Sequence, residues 1–216
     1  MSRGLFLTLE GIEGAGKSTV APRIGEWLTR HGIAARLTRE PGGTPLAERV
    51  RRIALEHGGE SLSPVAETLL MFAARALHVD NLIRPALARG EWVVCDRFTD
   101  ATRAYQGGGR NVPGGLIDEL ARAVHADLEP DCTLLLDLPV AAGLARARAR
   151  TASTGAADRF ETEDVAFFEK VRAAYLALAV REPRRIRVID ATAPLSEVEQ
   201  RITQILSELR ARGRHG

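Results

Sequence analysis

The sequence predicts an α/β three-layer sandwich: a five-stranded parallel sheet with helices on both faces and a short lid. Three observations carry that expectation. Short β-type runs alternate with longer segments of helical period along the whole chain, the pattern of a parallel sheet with helical crossovers. The runs at 5–9, 34–38, 92–95, 133–138 and 186–189 are predominantly apolar rather than regularly alternating, as strands covered on both faces should be. The glycine-rich breaks fall just after strands, where open α/β sheets bind their ligands.

The strands are bounded by helical patterns at 18–31, 46–57, 64–88, 114–125, 140–150, 165–180 and 195–211. No repeat and no linker rich in Gly, Pro or Ser divides them, so residues 1–216 read as one domain. Apolar residues make up 45% and charged residues 27%, which suits a soluble globular protein. A net charge of +2 gives no ground for a nucleic-acid partner. The arginine-rich tail from Arg210 to Arg214 reads as a solvated helix end. The first apolar run is too short for a signal-peptide core, and no stretch reaches bilayer-spanning length, so a cytoplasmic setting without membrane partners is expected. Cys95 and Cys132 sit in apolar strand-like runs and read as buried thiols of a reducing compartment.

Three segments break the texture. Glu40-Pro41-Gly42-Gly43-Thr44-Pro45 follows the second strand, and Gln106-Gly107-Gly108-Gly109-Arg110 lies downstream of the third. Thr151 to Asp158, small and polar, follows an arginine-rich helix and reads as a flap, the lid lying at about 146–160.

The chemistry starts at Gly11-Ile12-Glu13-Gly14-Ala15-Gly16-Lys17-Ser18, a full match to G-x-x-x-x-G-K-[ST] between a strand and a helix. That context defines a P-loop, and with it a P-loop NTPase sandwich. The glycines let backbone N–H groups turn toward phosphate oxygens, and the following helix N-terminus adds favourable partial charge. Lys17 is one of only two lysines, with Lys170; arginine supplies every other basic side chain. Lys17 is expected at the β- and γ-phosphates of ATP, and Ser18 on Mg²⁺. The Asn-Lys-x-Asp motif of a guanine-nucleotide switch is absent. Instead Arg39, Arg75, Arg97, Arg110, Arg146, Arg148, Arg150 and Arg159 lie in or near the strand-end loops and the flap. Transfer of a phosphoryl group between two polyanions needs such a supply of bidentate donors.

These residues resemble bacterial thymidylate kinases. The resemblance is carried by 9–19, by Thr38-Arg39-Glu40-Pro41-Gly42-Gly43-Thr44, by Leu70-Met71-Phe72-Ala73-Ala74-Arg75, by Asp96-Arg97 with Ala104 to Gly109, and by Ala145 to Arg150 with Asp158-Arg159. It implies transfer from ATP to dTMP with Mg²⁺, in a cytoplasmic homodimer. It implies an ATP site at Gly11, Ile12, Glu13, Gly14, Ala15, Gly16, Lys17, Ser18 and Thr19, with Arg146 near the adenine. For dTMP it implies Phe72 stacked on the base, Arg75 bonded to its O4 edge, and Tyr105 and Gln106 against base and deoxyribose. Tyr105 would leave no room for a 2′-hydroxyl. Arg39 and Arg97 would hold the acceptor phosphate, Glu13 would lie beside sugar and metal, and Asp96 would join Ser18 at Mg²⁺. Arg150 and Arg159 would neutralise the transferring phosphoryl, since 12–15 carries no arginine. A cis Glu40–Pro41 peptide is also implied. Lys17, Arg97, Arg150, Arg159, Glu13 and Asp96 thus make up the expected catalytic set. Ala101 stands where the family often has serine.

Rival readings stay open at the level of sequence. A deoxynucleoside kinase would need a base, Glu10 or Glu13, to accept a hydroxyl proton. A regulatory module would hydrolyse ATP slowly whatever monophosphate is added.

Overall fold

The structure, a computed structural model, describes residues 3–55, 61–154 and 163–212. The strands β1 (Phe6–Glu10), β2 (Ala35–Arg39), β3 (Trp92–Asp96), β4 (Cys132–Asp137) and β5 (Ile186–Asp190) form where the apolar runs predict. They pair in parallel in the order β2-β3-β1-β4-β5. The chain leaves central β1 first for the β2–β3 side and later for the β4–β5 side. The carboxyl ends of β1, β3 and β4 therefore form the switch point at which such sheets bind ligands.

Uniform burial holds for the central strands but not for the edges. β1 is buried at every position, whereas Arg36, Leu37 and Arg39 of β2 are exposed. An edge strand lacks a neighbour on one side, so its faces are covered only in part.

The helices are α1 (Lys17–Arg30), α2 (Pro45–Leu55), α3 (Pro64–His78), α4 (Arg84–Ala88), α5 (Thr99–Thr102), α6 (Gly114–His125), α7 (Val140–Thr154), α8 (Val165–Arg181) and α9 (Leu195–Arg212). The α3 entry has a clear local cause. The Ser63 hydroxyl accepts from Ala66 N at 3.1 Å and Pro64 fills the first turn. Asp164 caps α8 in the same way, accepting from Phe167 N at 2.7 Å. The predicted 64–88 helix does run through, but a π-helical turn at Val79–Ile83 joins α3 to α4.

A second π-helical stretch, Arg103–Gly109, overturns the expectation of an irregular break at Gln106–Arg110. The glycines here serve packing rather than chain reversal. A Cβ on Gly108 would lie 2.6 Å from the Ala174 Cβ, so only a bare backbone lets α8 lie so close.

Two core clusters clothe the sheet. Leu7 and Leu9 belong to the larger, with α1, α8 and α9 residues such as Ile24, Phe168 and Ile205. Phe6 joins Val93, Cys95, Ile83 and Phe98 in the second. This is the alternation of side chains along a strand, and each such burial stabilises the fold by about 1.5–3 kcal/mol. Cys95 and Cys132 are both buried and form no disulfide.

Candidate functional site

A cavity of about 660 Å³ opens over the carboxyl ends of the strands. All five strand ends feed it. Glu13 to Thr19 follow β1, Arg39 to Pro41 end β2, and Asp96 to Phe98 end β3. Arg146 and Arg150 come from α7 beyond β4, and Ala191, Ala193, Leu195 and Val198 lie beyond β5. Met71 and Arg75 of α3, with Thr102, Tyr105 and Gln106, close the opposite end.

The P-loop forms as its spacing predicts. Gly14 has φ 73°, and a Cβ there would stand 2.0 Å from Gly143 O, so the loop can lie against α7 only with glycine. Gly11 and Ile12 shape the loop, Gly16 caps α1 without a side chain, and Ala15 lines the cavity. Unpaired N–H groups at a helix start favour anions. Lys17 folds back over the loop, its Nζ donating to Gly11 O and Ile12 O at 3.0 Å each. An ammonium has three N–H donors, so one remains for a ligand. Burial, then the nearby Arg97, push the Lys17 pKa down to about 8, against the pull of Asp96, Glu13 and Glu10. Ser18 and Thr19 are exposed on the first turn at the cavity wall.

Arg97 sits where β3 ends, with φ 72°. Its Nη1 donates to Gly11 O at 3.0 Å and to the Tyr175 hydroxyl at 3.2 Å. Its Nη2 donates to Glu13 Oε1 at 2.8 Å and to the Tyr105 hydroxyl at 3.0 Å. The Tyr105 O–H donates in turn to Glu13 Oε2, and its ring lies 4.7 Å beneath the guanidinium. Four of the five guanidinium donors are thus spent on Gly11 O, Glu13 and the hydroxyls of Tyr105 and Tyr175, which leaves Nε–H. Burial opposes the Arg97 charge, yet Tyr105, Glu13, Tyr175 and Asp96 around it raise its pKa above the ordinary value.

Behind this cluster Glu10 is completely buried on β1. Its Oε1 accepts from Phe98 N at 2.8 Å, and Oε2 is 2.7 Å from the Tyr175 hydroxyl. Burial, then Asp100, raise its pKa to about 8, so it carries a proton at neutral pH.

At the far end Arg75 is buried at 3% exposure. Its Nε donates to Glu40 Oε2 at 2.7 Å, and its Nη2 to Phe98 O at 3.1 Å and Thr102 Oγ1 at 3.0 Å. Its Nη1 is buried and has no partner. A buried guanidinium nitrogen left unmet is costly unless a ligand completes it. Gln106, also buried, donates from Nε2 to Glu67 Oε1 at 2.7 Å and lines the same wall. The Glu40–Pro41 peptide is cis.

Phe72 is the clearest correction. It was expected to stack on a base, but it is 2% exposed, packs with Val112, Ile117 and Ala121, and does not line the cavity. Arg75 lies over its ring at 4.7 Å, so Phe72 supports the guanidinium from behind. Met71 forms the apolar wall instead. Helical spacing does not choose between them, because Met71 lies four residues and Phe72 three residues before Arg75, and both spacings share its face.

Arg39 reaches the cavity rim but pairs with Glu48, at 3.1 Å. Both partners are well exposed, and such pairs contribute little, so an anion could displace Glu48. Arg146 and Arg150 share a face of α7 and both line the cavity, while exposed Arg148 does not. Arg146 Nη1 donates to Ala191 O at 2.9 Å. Arg159 and the rest of the expected lid beyond 154 lie outside the described residues.

Among the described residues no group of three or more His, Cys, Asp or Glu could hold a metal alone. One orphan does fit Mg²⁺: Asp96 Oδ1 is buried without a partner at the cavity floor. A single carboxylate and a hydroxyl beside phosphates suit a cation that keeps its waters. Ala101 lines the wall and offers no hydroxyl.

Comparison with known proteins follows the same lines. A family model described as Thymidylate kinase matches residues 9–202. The thymidylate kinase of Pseudomonas fluorescens is 56% identical over 212 residues, covering 97% of this chain and 99% of that relative. That of Alkalilimnicola ehrlichii is 53% identical over 207 residues, covering 96% and 94%. Among solved structures, the thymidylate kinase from Ehrlichia chaffeensis superposes with a TM-score of 0.75 at 31% identity, covering 94% and 99%.

Proposed function

This chain belongs to the thymidylate kinase family, and we propose that the cavity over the strand ends holds ATP and dTMP end to end. It transfers the γ-phosphoryl of ATP to dTMP, giving dTDP for dTTP synthesis. The observation that carries the assignment of ends is the pairing of Lys17 on the P-loop with the unmet Nη1 of Arg75 in the same cavity.

The triphosphate lies over Gly11 to Thr19, with Lys17 exchanging its loop carbonyls for phosphate oxygens. The adenine lies by Arg146, Ala191, Leu195 and Val198. The thymine enters between Met71 and Gln106, and its O4 accepts from Arg75 Nη1. Tyr105, pinned between Arg97 and Glu13, stands against the deoxyribose and leaves no room for a ribose 2′-hydroxyl. The acceptor phosphate takes Arg97 Nε–H and Arg39. Arg150 and, from the lid, Arg159 neutralise the transferring group. Ser18 and Asp96 would hold Mg²⁺, which would supply positive charge to the phosphate oxygens. The acceptor is already an anion, so no general base is required. Catalysis is in-line positioning and charge neutralisation in a site that excludes water.

The protein acts as a single-domain cytoplasmic homodimer in this reading. Support for the dimer comes from Leu46 and Ile53 of α2 and Val65 and Leu69 of α3, apolar yet 48%, 60%, 44% and 48% exposed. Support for the compartment comes from Cys95 and Cys132, two buried cysteines that form no disulfide. The test is ADP formation with a panel of acceptors. Stimulation by dTMP well above thymidine, dCMP and UMP is expected, and stimulation by thymidine alone would refute the proposal.

A further inference from the structure

His78 belongs to none of the roles assigned so far, yet it is completely buried one turn beyond Arg75 on α3. Its Nδ1 lies 3.0 Å from Glu40 Oε1, and its Nε2 lies 2.7 Å from Thr38 Oγ1. A carboxylate can only accept, so Nδ1 carries the hydrogen toward Glu40. The other Glu40 oxygen, Oε2, takes Arg75 Nε at 2.7 Å. One carboxylate is therefore gripped at both oxygens by two partners from the same helix, and Glu40 N is itself held on Asp96 O at 2.9 Å.

We propose that His78 is a positioning residue for base recognition: through Glu40 it fixes the direction in which Arg75 offers Nη1 to the acceptor. An arginine has many rotamers, and two of its anchors, Phe98 O and Thr102 Oγ1, bind Nη2. Only Glu40 holds the Nε edge, and the plane of Glu40 is set by the His78 bond. With that bond gone the carboxylate can turn, the guanidinium turns with it, and Nη1 no longer meets a carbonyl at the depth of the pocket. The consequence is loss of discrimination between a pyrimidine with a 4-carbonyl and one with a 4-amino group. The inference rests on the reading of Arg75 as the base donor.

The experiment compares kcat/KM for dTMP and dCMP in the wild type, Arg75→Lys, His78→Leu and His78→Asn, with KM for ATP measured alongside. In His78→Leu the dTMP:dCMP ratio should fall about tenfold, equivalent to about 1.4 kcal/mol, with KM for ATP within about twofold. His78→Asn keeps an N–H donor near the Nδ1 position and should retain most of the ratio even if its thermal midpoint drops. It also carries the test should the leucine variant not fold. If Arg75→Lys loses the ratio and folded His78→Leu keeps it, His78 only fills space and the proposal is overturned. A folded His78→Asn protein with a collapsed ratio overturns it too. If Arg75→Lys itself keeps the ratio, the base-donor reading fails and the proposal falls with it.

Discussion

Replacing Glu10 by glutamine should flatten the alkaline side of the stability profile. Glu10 bonds to Phe98 N and the Tyr175 hydroxyl, and no cation touches it directly. Burial, then Asp100, raise its pKa from 4.5 to about 8. Between those values the folded state holds a proton that the unfolded state has released, so stability is lost as pH rises. The contribution is fully present below 4.5 and gone once pH has passed through about 8. Integrated from about pH 6 to about pH 8, one such group removes about 2 kcal/mol. Lys17 has the opposite sign: its pKa, lowered from 10.5 to about 8, adds stability mainly above that window, and it is present in both proteins. Glutamine matches the protonated acid in shape and has no proton to lose. Urea melts at the two pH values, read as midpoints at constant m, should therefore show the wild type losing about 2 kcal/mol more than Glu10→Gln. Equal losses in the two proteins would mean that Glu10 is ionised in the folded state, and the reasoning would fail.

Three further outcomes are expected. Phe72→Ala should destabilise the protein by about 3–5 kcal/mol as a core truncation, while Met71→Ala should raise KM for dTMP several-fold with a smaller effect on the thermal midpoint. Acceptor KM rising more in Phe72→Ala than in Met71→Ala would reverse that assignment. Lys17→Ala should lower kcat by at least about 10³-fold, the scale of losing a preorganised charge at the transferring group, with near-normal kcat as the contrary result in steady-state assays. Asp96→Asn should raise the Mg²⁺ concentration needed for half-maximal rate about tenfold or more, as supporting metal partners do, and an unchanged Mg²⁺ titration would remove Asp96 from the metal site.

The phosphate loop was legible because its determinants are local: eight consecutive residues, a strand before and a helix after. The strand positions were legible because both faces of central strands must be apolar. The rotation of α3 was not. Leu69-Leu70-Met71-Phe72 offers no polar contrast to say which side meets the cavity, and only packing against α6 buries Phe72 and leaves Met71 facing in. The run of glycines at 107–109 predicts a break because glycine disfavours helices. Contact with α8 overrides that propensity. The Glu40–Arg75–His78 group joins residues 35 and 38 positions apart, beyond any local pattern. In the sequence Glu10 reads only as a candidate base of a rival activity. Three dimensions make it a buried acid tied through Tyr175 to Arg97.

The most direct test of the account follows the phosphorus itself. ATP carrying a radioactive γ-phosphoryl is mixed with dTMP and Mg²⁺, and the products are separated. The account predicts label in dTDP at the rate of ADP appearance, lost in Lys17→Ala. Label released as inorganic phosphate, at a rate indifferent to dTMP, would contradict it.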